Sequence, residues 1–133
     1  MSRPKYWWYG NVLRVIRAYP AMLRRAEELK RQAVTPSYSG LPGSGRPGRR
    51  TEQAALRELS QREQQELEAV GRAIEDLGRA PDGKEILRVV ELYHWQGIRN
   101  FETVAEITHL GRNTAKRRNA RFIYTVAAYL GYL

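Results

Sequence analysis

One short stretch, residues 104–118, constrains the fold of this chain more than any other; it reads VAEITHLGRNTAKRR. Ala105 lies where two crossing helices must approach closely, because a side chain larger than a methyl group would hold them apart. Leu110 and Ala115 then face the same small core. His109 takes the turn position usually held by glycine, and histidine tolerates a left-handed conformation better than most residues. With Gly111 as an acceptable N-cap, the pattern predicts two helices joined by a tight turn.

The second of these helices begins in polar and positively charged side chains. An asparagine can pair two atoms of adenine and an arginine two atoms of guanine, so these side chains suit direct reading of bases in the major groove. Arg118 and Arg121 are expected to contact phosphates, which position a protein on DNA but do not specify sequence. The predicted DNA-binding residues are Arg112, Asn113, Thr114, Lys116, Arg117, Arg118 and Arg121. The alternative is an ordinary helical hairpin with a solvated basic face.

The charge of the chain favours a polyanionic partner. The formal net charge is +9 over 133 residues, with a pI near 10.2, which suggests nucleic acid first and an anionic membrane surface second. The signs are unevenly placed: residues 1–31 hold eight Lys/Arg against two Glu, whereas residues 51–78 hold three against seven acidic residues. With no cysteine, no signal-peptide pattern and no apolar run of about 18 residues, we expect a cytoplasmic protein without a membrane partner.

Apolar periodicity indicates an all-α chain in three parts. Residues 1–34 form an N-terminal amphipathic helical arm, in which Pro20 should either kink the helix or begin a new one. Residues 35–51 are rich in Gly, Ser, Pro and basic residues and are expected to form a flexible linker. Residues 52–133 form a compact helical domain with the helix-turn-helix at about 101–129.

Within the domain, two further helices are predicted, together with the end of the second helix of the helix-turn-helix. One runs from about Glu52 to Leu77, and a second runs from Gly83 to Trp95 with Asp82 as its cap. The last continues to about Tyr129 and buries an apolar stripe of Phe122, Ile123, Val126 and Leu130. The seam of Leu67, Val70, Ile74 and Leu77 has two interpretations: a coiled coil between two copies of the chain, or a cover over the core of the helix-turn-helix.

Two other segments have alternative readings. Arg46, Arg49 and Arg50 partly match the basic core of a minor-groove hook, so they are candidates for a minor-groove or phosphate-binding arm; an ordinary charged linker is favoured instead. The aromatic run from Tyr6 to Tyr9 could stack on bases. Aromatic residues that lead into an amphipathic helix more often pack in a core or an oligomer interface, and packing is favoured.

Nothing in the sequence indicates catalysis or a metal site. His94 and His109 are the only histidines and there is no cysteine, whereas a structural metal site such as zinc needs three or four ligands. The acidic residues lie on solvated helix faces without a partner histidine or nucleophile. We therefore predict no catalytic residue, no metal, no cofactor and no small-molecule substrate, and expect that the chain is not an enzyme.

Several motifs, in order along the chain, resemble the RinA/ArpU-type phage transcriptional regulators of Gram-positive hosts. They are Tyr19-Pro20 with a Thr35-Pro36 exit, the Gly/Ser/Pro linker, Ala73-Ile-Glu-Asp-Leu77, Leu92-Tyr93-x-Trp95, and Val126-Ala-Ala-Tyr-Leu-Gly131. The helix-turn-helix also resembles region four of sigma factors, in Val104-Ala-Glu106 and Arg112-x-Thr114-x-Lys116-Arg-Arg118. His109 and Gly111 depart from the sigma pattern. The resemblance implies a regulator of late phage or prophage genes that acts in the cytoplasm of a bacterial host cell, binds promoter DNA and contacts host RNA polymerase.

Together these patterns predict a sequence-specific double-stranded DNA-binding transcriptional regulator, and the resemblance implies an activator of phage or prophage late genes. A homodimer is a further hypothesis, because two-fold half-sites are common for such modules. Two rival functions remain open from the sequence. One is a DNA-packaging subunit of the small-terminase kind, which would assemble into a ring; the other is an interaction module that binds polymerase or a sigma factor and reads no bases.

Overall fold

A computed structural model describes residues 6–34 and 60–133, and this part of the chain is all-α, as predicted. The helices are α1 (Tyr9–Val34), α2 (Gln61–Gly78), α3 (Gly83–Val90), α4 (Phe101–Thr108) and α5 (Arg112–Tyr129). A π-helical turn, Glu91–Trp95, continues α3 without a break. None of the helices in the described ranges is long and apolar enough to cross a membrane.

Most of the described helices share one core. Val12, Val15 and Ile16 of α1 are fully buried against Val70 of α2 and Ile123 of α5. The helix that the sequence sets apart as an arm is therefore part of the described fold, because its apolar stripe is buried in the shared core. Of the α2 seam, Val70 and Leu77 are buried in the same core, as the covering interpretation expects, whereas Leu67 and Ile74 are half-buried.

Helix α1 runs through Pro20 without a break, so the alternative that a new helix begins there is wrong. Proline has no N–H, which deprives the carbonyl of Ile16, four residues earlier, of its helical hydrogen bond. The indole N–H of Trp95 donates to that carbonyl at 2.8 Å. A side chain nearly eighty positions along the chain thus replaces the missing backbone donor, and the buried carbonyl is not left unsatisfied.

Helix α2 begins later than the sequence suggested. Ser60 is extended, accepts a hydrogen bond from the Glu63 backbone N–H, and has its own N–H bound by the Glu63 carboxylate. This capping box fixes the first residue of the helix at Gln61, so a single helix from Glu52 to Leu77 is wrong. Residues 52–59 themselves lie outside the described residues.

The connection between α2 and α3 is tight and depends on a glycine. A Cβ atom at Gly83 would lie 2.3 Å from the Leu77 carbonyl oxygen, so the first turn of α3 can contact the end of α2 only without a side chain there. Asp82 occupies the N-cap position of α3, as predicted, but its side chain makes no capping hydrogen bond. That carboxylate has other partners on α5, which are described below.

Candidate nucleic-acid interface

The turn between α4 and α5 has the conformation that the sequence predicted. His109 is left-handed, with φ 60° and ψ 33°, and is the only described non-glycine residue with positive φ. Its backbone N–H and that of Leu110 both donate to the Ala105 carbonyl. Gly111 is extended and is the N-cap of α5 without any side-chain capping bond. The first backbone N–H groups of α5 are therefore not occupied by a capping side chain.

A small core holds the two helices at this turn. Ala105 is buried and Ala115 is fully buried, in one cluster with Val89, Leu92 and Val104. Leu110 packs against the cluster from the turn and is half-buried. The predicted close approach of α4 and α5 at their alanines is confirmed, and it sets the direction in which α5 presents its first two turns.

The first two turns of α5 present an exposed polar surface. Arg112, Asn113, Lys116 and Arg117 are all exposed, and Thr114 is half-buried. At roughly 100° per residue, Asn113 and Arg117 lie on the side of the helix opposite the buried Ala115. Intramolecular contacts hold these side chains only weakly. Arg117 donates to the Thr114 hydroxyl at 3.4 Å, and Arg112 lies 3.9 Å from the Glu102 carboxylate.

Arg118 and Arg121 differ from the other predicted DNA-binding residues, because both already have carboxylate partners. Arg118 donates to Glu85 at 3.0 and 3.1 Å and lies 3.5 Å from Asp82. Arg121 donates to both oxygens of Asp82 at 3.0 Å. These pairs join α5 to the start of α3 and explain why Asp82 does not cap its own helix. A phosphate could contact either arginine only by displacing a carboxylate.

A buried polar pair, missed by the sequence analysis, lies behind the exposed surface. His94 and Asn119 are 4% and 6% exposed, and His94 Nε2 lies 2.6 Å from Asn119 Oδ1. Arg17 donates from Nε to His94 Nδ1 at 3.4 Å, so the proton of a neutral ring belongs on Nε2, which donates to Asn119. The available signal was Asn119 itself, a polar residue one turn after the buried Ala115 on the core face of α5.

The environment of His94 keeps its ring neutral at physiological pH. Burial lowers the pKa of His94 to about 4; the hydrogen bond to Asn119 opposes the fall, while the positive charges of Arg17 and Arg99 add to it. A buried charge without a counter-ion is costly. The histidine therefore contributes hydrogen bonds to this region but no charge.

Two other predicted features have separate outcomes. Packing of the N-terminal aromatic run is confirmed for Trp8, which is buried, stacks on Tyr6 and Tyr132, and meets Tyr124 edge to face. Its neighbour Trp7 is 85% exposed. The candidate minor-groove arm of Arg46, Arg49 and Arg50 lies outside the described residues.

Nothing in the described ranges assembles into a metal site, since no three His, Asp or Glu side chains there are grouped to hold an ion. A comparison of the chain with protein-family models, with curated proteins and with solved structures found no match. The resemblance to phage regulators and to sigma region four thus depends on the motifs of the sequence alone.

Proposed function

We propose that this chain is a sequence-specific double-stranded DNA-binding transcriptional regulator, with α5 as its reading helix. One observation carries the proposal. Immediately after a tight turn held by a packed core, α5 presents Arg112, Asn113, Lys116 and Arg117 to solvent, and no acidic residue occurs from Arg112 to the end of the chain. Exposed donors on a rigidly held helix, with uncapped N–H groups at its start, suit the major groove of an anionic duplex.

The side chains differ in the roles that their chemistry supports. Asn113 and Arg117 lie on the outward side of α5, and asparagine and arginine make the bidentate contacts that distinguish adenine and guanine. Lys116 lies at the flank of the same helix, where a flexible ammonium group suits a backbone phosphate. Arg118 and Arg121 are already paired with Asp82 and Glu85. They are therefore less available for DNA contact than the sequence indicated.

The biological setting follows from the motif resemblance. We propose that the chain activates late genes of a phage or prophage, binds promoter DNA as a homodimer and contacts host RNA polymerase. The net charge of +9 supports DNA over a purely protein partner, because a polybasic chain is steered towards a polyanion.

The experiment that tests sequence reading is selection of bound duplexes from a random pool by the full chain, at about physiological salt. Enrichment of one site, recovered independently from replicate pools, is the expected result. Uniform binding whose affinity falls with salt would refute sequence reading and favour the packaging or polymerase-binding alternatives. The mass of the chain in solution, with and without the selected site, separates the homodimer from a ring-forming packaging subunit.

Substitution of Arg117 tests the reading helix directly. Arg117→Ala should weaken binding to the selected site by about 5- to 150-fold, since one bidentate base contact is worth about 1–3 kcal/mol. Arg72→Ala is the matched control: it removes the same charge from an exposed position of α2, where Arg72 pairs with Glu68. Equal affinities of the Arg117 variant and the parent chain at low salt would refute the assignment of α5.

A further inference from the structure

A cleft of about 320 Å³ lies between α1 and the reading helix. Three parts of the fold supply its polar lining: Arg17 from α1, His94 from the π-helical turn, and Lys116 and Asn119 from α5. Tyr9, Tyr93 and Phe101 supply aromatic walls. The cleft therefore adjoins the proposed DNA-reading surface and shares Lys116 with it.

The cleft is positively charged, and nothing in the described fold balances that charge. Its lining includes Arg17 and Lys116 but no Asp or Glu. Within residues 6–34 and 60–133, neither cation forms an ion pair. Since His94 is neutral, it neither adds to the charge nor offsets it.

A third cation reinforces this field. Arg99 donates to the Tyr93 carbonyl, and its guanidinium lies 5.5 Å from the centre of the Tyr93 ring, at one wall of the cleft. Burial lowers the pKa of Arg17, and the positive charge of Arg99 lowers it further. Like charges are thus held near each other on separate elements of the fold, an arrangement that an anion between them would relieve.

The cleft also offers a hydrogen-bond donor with fixed orientation. Asn119 Oδ1 is taken by His94, which leaves the amide nitrogen as the free end of the side chain. That nitrogen donates to no partner within the described ranges, and it is not enclosed, because no fully buried side-chain atom there lacks a partner. An oriented amide donor beside a guanidinium and an ammonium group matches an acceptor with several oxygens.

We propose that this cleft binds a phosphate group, with Arg17, Lys116 and the amide of Asn119 as its ligands. Phosphate oxygens accept charge-assisted hydrogen bonds from guanidinium and ammonium groups, and their tetrahedral arrangement lets one phosphate meet donors from two helices at once. The shared use of Lys116 points to a phosphate of the DNA backbone beside the groove read by Asn113 and Arg117, and this source rests on the proposed function. A free phosphorylated compound is the other source of the same chemistry.

Inorganic phosphate tests the cleft without DNA. Phosphate is added to the full chain at constant ionic strength, balanced with chloride, while NMR follows the side-chain amide of Asn119. A saturating shift is expected for the parent chain and for the control Arg24→Gln, which removes an exposed charge two turns along the same helix. Arg17→Gln and Lys116→Gln should each lower the affinity for phosphate at least tenfold. A non-saturating shift, or equal binding by all four proteins, would overturn the proposal.

DNA then identifies the source of the phosphate. For a random duplex and for the selected site, the logarithm of affinity is plotted against that of salt concentration. Loss of one backbone contact in Arg17→Gln should reduce the slope by about 0.9, with no change for Arg24→Gln. An unchanged slope alongside the lost phosphate shift would assign the cleft to a free phosphorylated compound. If the parent chain binds no DNA, the proposed function fails while the phosphate titration still decides the cleft.

Discussion

The burial of His94 predicts how the free energy of unfolding depends on pH. Its pKa is about 4 in the folded chain, against 6.5 for an unperturbed histidine. Between these two values the unfolded chain binds more protons than the folded chain, so stability rises with pH in this window and is lost as the pH falls. Between the two pKa values, each pH unit changes the free energy of unfolding by about 1.4 kcal/mol. Lowering the pH from 7 to 4 should therefore reduce the free energy of unfolding by about 3 kcal/mol through this residue.

The assay is urea unfolding of the parent chain and of His94→Gln at a series of pH values from 4 to 7. Glutamine keeps a donor for Asn119 but does not titrate, so the difference between the two proteins isolates the contribution of His94 from that of the acidic residues, which both proteins share. The parent chain should lose about 3 kcal/mol more than the variant over this range. His109→Gln is the matched control, because that histidine is exposed in the turn. Parallel stability curves for the parent chain and His94→Gln would refute the claim that His94 is buried and neutral.

Three further predictions concern the fold. Trp95→Phe should lower the free energy of unfolding by about 1–3 kcal/mol, since the Ile16 carbonyl loses its donor; in a Pro20→Ala background the loss should be smaller, because alanine supplies the missing N–H. His109→Gly should raise the free energy of unfolding by roughly 0.5–1 kcal/mol, because glycine adopts positive φ without a steric cost. Phe122→Ala should lower it by about 3–5 kcal/mol, since this ring is fully buried and its loss leaves a cavity. Urea unfolding measures all three.

Each of these has a result that contradicts it. An equal cost of Trp95→Phe in both backgrounds would mean that the indole does not substitute for the backbone donor at Pro20. A lower stability of His109→Gly would argue against a left-handed turn residue. A loss below 1 kcal/mol for Phe122→Ala would place the ring outside the core.

Much of the fold was predictable because it depends on local pattern. The apolar stripe of α5, the left-handed His109 and the close contact at Ala105 each follow from residue size, spacing and backbone preference. All of them are found in the structure, except that Leu130, predicted as the last buried residue of the stripe, is half-buried just after α5 ends. The exposure of Asn113 and Arg117 follows from the same periodicity, since the core side of a helix determines its outer side.

The start of α2 shows the limit of periodicity. Leu56 and Leu59 extend the apolar stripe before Ser60, although less regularly than the residues after it, so the pattern alone extended the helix back to Glu52. The capping box of Ser60 and Glu63 ends that extension. The sequence signature of this capping box, a serine followed three residues later by a glutamate, was present. The prediction followed the apolar stripe instead.

Partners distant in sequence were decided only by the tertiary structure. The sequence indicates that Pro20 lacks a backbone N–H donor, but only the packing of the helices brings the indole of Trp95 to the Ile16 carbonyl. Likewise, Arg118 and Arg121 appear as free cations until α3 places Asp82 and Glu85 beside them. The contact of His94 with Asn119, and the cleft next to it, arise in the same way. Local spacing determines which face of a helix is buried, whereas the identity of each buried or charged partner depends on how the helices assemble.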